Sequence, residues 1–154
     1  MELFDCIKKS SQVKNYLDKE VSHKDVARIL DSAHYASSSG NIQNWRFIVV
    51  RSEETKEKIA RACSDQLWMQ EAPVIIVICS DNSNLKSYFQ KKWKKYCREN
   101  CAAAAQNITL QATNLGLSSC WIRTFNELRI KNILKIPDHV SVEAVVTIGY
   151  SNEK

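Results

Sequence analysis

Pro73 is followed by Val74-Ile75-Ile76-Val77-Ile78-Cys79, six apolar residues with no polar side chain among them. Successive side chains of an extended strand point to opposite faces, so a run without alternation needs apolar cover on both sides. Six residues are far too few to cross a bilayer, which takes about 20 in a helix. The run therefore predicts a buried strand in a sheet with helices packed on each face.

The rest of the chain supplies such elements. Leu3, Phe4 and Ile7 have the spacing of a short amphipathic helix within Met1 to Lys9, and a polar turn follows at Ser10 to Gln12. Ser22 predicts an N-cap, with Asp25 three residues on and Val26, Ile29, Leu30 and Ala33 as the inward stripe. Ser37-Ser38-Ser39-Gly40-Asn41 reads as a loop and Phe47 to Val50 as a strand. Glu53 to Cys63 predicts a helix whose acidic start suits the macrodipole. Leu85 to Arg98 and Cys101 to Leu115 are expected as two further helices, the second capped by Gly116. A strand at Ser119 to Ile122, a helix from Asn126 to Leu134 and a strand from Val142 to Ile148 complete the series. Elements mixed in this way predict an α/β sandwich.

At 154 residues and 44% apolar content the chain suffices for one core, and the expectation is one unit spanning 1–154. Only three glycines and two prolines interrupt it, so no flexible linker is expected. Much of the net charge of +5 comes from the stretch Lys86 to Arg98. Such a patch can favour phosphate-bearing partners, or it can be a solvated helix face whose aromatics, Phe89, Trp93 and Tyr96, point inward. Six cysteines stand at 6, 63, 79, 97, 101 and 120, and the N-terminus, MELFDCIKKSS, has no secretory pattern. Reduced thiols, a cytoplasmic location and no membrane association are the expectation.

Side-chain catalytic machinery does not stand out. His23, His34 and His139 have no zinc-ligand spacing, and three widely spread glycines leave no room for a P-loop, a GxGxxG or a GxSxG elbow. Cys97 and Cys101 are one helical turn apart, but two thiolates without nearby histidines make a poor metal site and read as packing residues. No metal is expected. An enzyme with this inventory would let a cofactor carry the chemistry while the protein orients it and tunes its charge.

One stretch fits that role. Ser37 to Val50 places small hydroxyls, an Asn amide and then Gln43-Asn44-Trp45 in a loop that enters a strand. Such a loop can offer donors and acceptors to a ring, or can be an ordinary polar turn. The stretch resembles the signature of the FMN-dependent nitroreductase family, small polar residues followed by Asn-x-Gln-Pro-Trp. The resemblance continues in order through Ala72-Pro73 and its strand, Ala103 to Ala112 with Leu115 to Trp121, Ile136-Pro137, and Val146 to Tyr150. It implies a three-layer α-β-α sandwich with a mixed, mostly antiparallel sheet in an interlocked homodimer, with FMN at the interface. It also implies NADH or NADPH as donor and a small nitroaromatic, quinone or related acceptor, with no nucleic acid or membrane partner. The flavin carries the chemistry, so no catalytic side chain is assigned. Carried onto this chain, the cofactor residues are Lys14, Ser37, Ser38, Ser39, Asn41, Gln43, Gly116, Leu117 and Ser118. The loop would serve the flavin of the neighbouring chain, while the N-terminal segment would serve its own.

The chain departs from the family at the phosphate end. Where the family has an Arg-Arg-Ser-x-Arg-like run, this chain has Ser10-Ser11-Gln12-Val13-Lys14, and only Lys14 keeps its charge. Lys8, Lys9, Arg123 and Lys154 are the cations available to compensate. Ser37 and Asn44 replace two prolines, which predicts a looser loop. Two alternatives therefore stand beside the oxidoreductase: a degenerate member with weak or no flavin binding, and a nucleic-acid module using the Lys86–Arg98 face.

Overall fold

The computed structural model describes residues 1–153, so Lys154, one of the compensating cations, lies outside the described residues. Four strands form one sheet in the order β1-β2-β4-β3: β1 is Trp45–Val50, β2 Val74–Asp81, β3 Ser118–Ile122 and β4 Val140–Gly149. Every named pair is antiparallel. Among the described residues a parallel element enters only as a single bridge between Gln12 and Ser119 at the outer edge of β3.

The apolar run behaves as its composition requires. From Val74 to Ser80 every residue of β2 is buried. Val74, Ile76 and Ile78 join Ala144, Val146 and Ile148 under α2 (His23–His34) and α5 (Trp93–Asn114). Ile75, Val77 and Cys79 join Val145, Cys120 and Ile122 under α3 (Glu53–Ala62) and α6 (Glu127–Leu134). The result is the expected three-layer sandwich, its two cores separated by the two-residue period of the strands.

Local signals explain the helix starts. Ser22 Oγ accepts from the Asp25 N–H at 3.0 Å, and Asn126 Oδ1 accepts from Arg129 N–H at 3.0 Å. One division differs from expectation. Two helices separated near residue 99 were expected; instead α4 (Ser83–Phe89) ends at Gln90, whose φ is 46°, and α5 then runs unbroken from Trp93 to Asn114. Nothing at Glu99-Asn100 breaks a helix, and the buried stripe Cys97, Cys101, Ala104, Ala105, Ile108, Ala112 continues through them at helical spacing. The N-terminal helix α1 (Leu3–Lys9) buries only Cys6 and leaves Leu3, Phe4 and Ile7 exposed.

Antiparallel pairing sorts the connections to two ends of the sheet. The loop before β1 lies at the end where β2 finishes and β4 begins, since Trp45 faces Ser80 and Ser80 faces Ser141. The turn before β3 lies at the other end, since Ser118 faces Gly149. About eight residues of β4 separate these ends, or roughly 25 Å at 3.3 Å per residue.

Candidate functional site

At the first end, the loop after α2 turns through Gly40 (φ 61°) and Asn41 (φ 56°), consecutive left-handed residues that Gly and Asn tolerate best. A Cβ on Gly40 would also come within 3.2 Å of the Phe89 ring. The backbone of this loop is held from beneath. Asn100 of α5 accepts from the Ser39 N–H at 2.9 Å and donates from Nδ2 to Ile42 O (3.3 Å) and Asn44 Oδ1 (2.7 Å). Asn44 Nδ2 in turn donates to Ser80 Oγ at 2.6 Å, and the Asp81 N–H donates to Asn44 O at 2.8 Å. The chain continues through Asn82, which accepts from Ser80 Oγ and Cys97 Sγ and donates to Ser141 Oγ, as far as Glu143. Burial holds the Glu143 carboxyl above the usual carboxylate range.

The sequence treated Asn44 as a lost proline that frees the loop. In the fold it is buried and pins the loop to β2 and α5. Meanwhile the side chains of Ser37, Ser38, Ser39, Asn41 and Gln43 have no hydrogen-bond partner among the described residues, and Asn41 and Gln43 are exposed. The loop is anchored by its backbone and leaves Ser37, Asn41 and Gln43 exposed and Ser38 and Ser39 half-buried.

At the other end lies the segment from Gln12 to Tyr16. It runs along the edge of β3: the Val13 N–H donates to Ser119 O at 3.2 Å, and Gln12 Oε1 accepts from the Trp121 N–H at 2.7 Å. Tyr16 packs across Gly149, where an added Cβ would fall 2.7 Å from its ring, and its hydroxyl meets Thr147 Oγ1 at 2.7 Å. Gly149 thus admits an aromatic anchor for the segment that carries Lys14. Lys14 itself is exposed, its ammonium 5.9 Å from the centre of the Trp68 ring. Gly116 and Leu117 lead into Ser118 at this same end, next to the segment.

Glu153 has no counterpart in the sequence reading. Its carboxylate accepts from the Lys14 N–H at 2.8 Å and from Asn15 Nδ2. The bond from Lys14 is the first reason its carboxyl sits below the usual range. Trp121 was missed as well. It lines a cavity of about 650 Å³ with Arg123, whose guanidinium stacks 4.3 Å from the indole centre, and its Nε1 is buried without a partner among the described residues. A strand tryptophan beside an edge cation was the available signal.

The structure therefore gathers Lys14, Gly116, Leu117 and Ser118 at one end, and Ser37, Ser38, Ser39, Asn41 and Gln43 at the other. One chain does not unite them. Two chains can, if the loop end of each reaches the N-terminal end of its neighbour. The other expected candidates recede. Cys97 and Cys101 turn to Asn82 and to the Cys79 carbonyl, and all six cysteines are unpaired and buried. Burial raises the Cys63 and Cys79 thiols to about 12, which leaves them protonated and unreactive. Lys86 and Lys94 flank the half-buried Trp93, 4.6 and 5.7 Å from its ring centre. No helix among the described residues is long and apolar enough to cross a membrane.

Comparison with known proteins identifies the family and the fold. The model of the Nitroreductase family matches residues 7–94 and 64–150 in two overlapping stretches. A protein of Archaeoglobus fulgidus, named as a candidate NADH dehydrogenase/NAD(P)H nitroreductase, is 35% identical over 146 residues, covering 92% of this chain and 81% of its own. A nitroreductase family protein of Clostridium novyi NT superposes with a TM-score of 0.90 at 30% identity, over 99% of this chain and 87% of that one. An FMN-dependent nitroreductase of Clostridium difficile R20291 superposes at 0.86 with 31% identity, over 98% and 88%.

Proposed function

The chain belongs to the nitroreductase family, an oxidoreductase family, and from that premise we propose that it works as an FMN-dependent oxidoreductase, taking hydride from NADH or NADPH and reducing a small organic acceptor such as a nitroaromatic or quinone. The observation that carries this reading is the loop from Ser37 to Gln43, whose backbone is fixed from beneath while its hydroxyls and side-chain amides have no partner among the described residues and Asn41 and Gln43 are exposed. Unpartnered groups on a prepared backbone are what a bound ring needs, because little further ordering is required when it docks.

The residues present fit the ring better than the phosphate. Ser38, Ser39, Asn41 and Gln43 would supply donors and acceptors for a flavin's heteroatoms, and Lys14 would supply a cation to offset charge on the reduced ring. When bound, FMN would supply the hydride and electron chemistry, as cofactors do generally. The chain's part is to hold the ring, exclude water and place a positive charge where negative charge grows. The split of the site between two sheet ends requires two copies, and the bare apolar face of Leu3, Phe4 and Ile7 fits a homodimer.

Glu153 favours a second reading. A carboxylate on the Lys14 N–H and the Asn15 amide occupies donors that a phosphate would use, in a segment already short of arginines. A family member that keeps the dimeric fold but binds flavin weakly, without catalysis, follows from that observation. Purification separates the two. An oxidoreductase is yellow and its visible bands bleach on adding NADH or NADPH; a colourless protein that takes up no added FMN belongs to the second reading.

A further inference from the structure

We propose that Asn100 is the positioning residue of the flavin-binding loop, acting through the backbone at Ser39 and Ile42 and through the Asn44 side chain; the role rests on the flavin reading above. Asn100 lies on α5, distant in sequence from the loop, and is 2% exposed. Its carboxamide uses both of its faces. Oδ1 accepts from the Ser39 N–H at 2.9 Å, while Nδ2 donates to Ile42 O at 3.3 Å and to Asn44 Oδ1 at 2.7 Å. These contacts bracket Gly40 and Asn41, the two left-handed residues at which the loop turns, and the Asn41 side chain is exposed there.

Only a side chain with a donor and an acceptor on one short, planar head can meet an N–H and two carbonyl oxygens from one point. An aspartate would keep the Ser39 contact but turn a carboxylate onto Ile42 O and Asn44 Oδ1. A lysine or arginine would have nothing to accept the Ser39 N–H. A neutral amide also avoids burying a charge beneath the loop. Asn44 extends the hold to Ser80 of β2, so the loop is tied to helix and sheet at once. Asn100 touches no ligand in this account. Its effect on flavin is indirect, through the geometry of the groups that do.

The test compares Asn100→Ala and Asn100→Asp with Thr109→Ala, a buried α5 residue whose hydroxyl bonds only the local Gln106 carbonyl and which faces no part of the loop. FMN affinity is measured by fluorescence titration and the Ser39 amide by hydrogen exchange. Asn100→Ala should weaken FMN binding about 10- to 100-fold and unprotect Ser39. Asn100→Asp, keeping the acceptor, should retain protection at Ser39 and show an intermediate affinity. Thr109→Ala should lose stability without loss of affinity at equal folded fraction. FMN affinity in Asn100→Ala equal to that of Thr109→Ala overturns the proposal, whatever happens at Ser39. Wild-type protein that takes up no FMN while Asn100→Ala unprotects Ser39 overturns the flavin reading alone and supports the anchoring.

Discussion

The two ends of the sheet solve the same task by opposite means. At the loop end, neutral buried amides hold the backbone, and the side chains of Ser38, Asn41 and Gln43 remain free to bind. At the N-terminal end, Tyr16 anchors the segment against Gly149, but a charged group, Glu153, engages the backbone N–H of Lys14 itself. The first arrangement separates the anchor from the binding surface. The second merges them, so a ligand arriving there must displace part of what orders the segment. This contrast makes the loop end a preformed half-site and the N-terminal end a contested one.

The largest effect should follow from breaking the anchor at the loop end. Asn44→Ala leaves Ser80 and Asn100 without their amide partner in a buried setting, at a cost of about 2–4 kcal/mol. Thermal unfolding should show a Tm roughly 5–15 °C lower. A change below 2 °C would mean that the amide chain does not hold the loop.

At the contested end, Lys14→Met should weaken FMN binding about tenfold. It should also lower the midpoint potential; losing ~1.4 kcal/mol of preference for the reduced ring corresponds to about 30 mV in a two-electron couple. An unchanged potential with weaker binding would move Lys14 from the ring to the phosphate. Glu153→Gln should act in the opposite direction, tightening FMN binding about 2- to 5-fold at low salt and less at high salt. Weaker binding in that variant would make Glu153 a support for the segment and not a competitor.

The smallest effect belongs to Glu143, the far end of the amide chain. Its carboxyl is raised by burial, so the stability it contributes is complete below the unfolded value near 4.3 and is lost as pH rises through the folded value. Glu143→Gln removes that loss and should gain roughly 1–3 °C in Tm at pH 7 but almost nothing at pH 4. A gain independent of pH would assign the effect to packing.

Much of the fold was legible because its signals are local. The unalternating run in β2 required cover on both faces, and Ser22 and Asn126 mark helix starts through contacts three residues away. The break at Gln90 was not legible, since a left-handed glutamine has no compositional mark and the helix it precedes continues through ordinary residues. The candidate loop could be found from its own residues, but its supports could not. Asn100 and Ser80 reach it across 61 and 36 sequence positions, counted from Ser39 and Asn44, and a buried asparagine looks like an exposed one in sequence. For the same reason Asn44 read as a lost proline, and Glu153 drew no reading at all.

The most direct test of a site shared between two chains is the flavin content of a mixed dimer. One chain carries Ser38→Ala with Asn41→Ala, the other carries Lys14→Met, and two affinity tags select the heterodimer. Each variant alone as a homodimer has both sites damaged and should lose most of its FMN. In the heterodimer, one of the two sites combines both damaged halves and the other combines both intact halves. The account predicts one FMN per heterodimer by visible absorbance, bound as tightly as in the wild type. A heterodimer as empty as its parents would contradict it, because damage then acts within each chain and the two sheet ends do not meet across the interface.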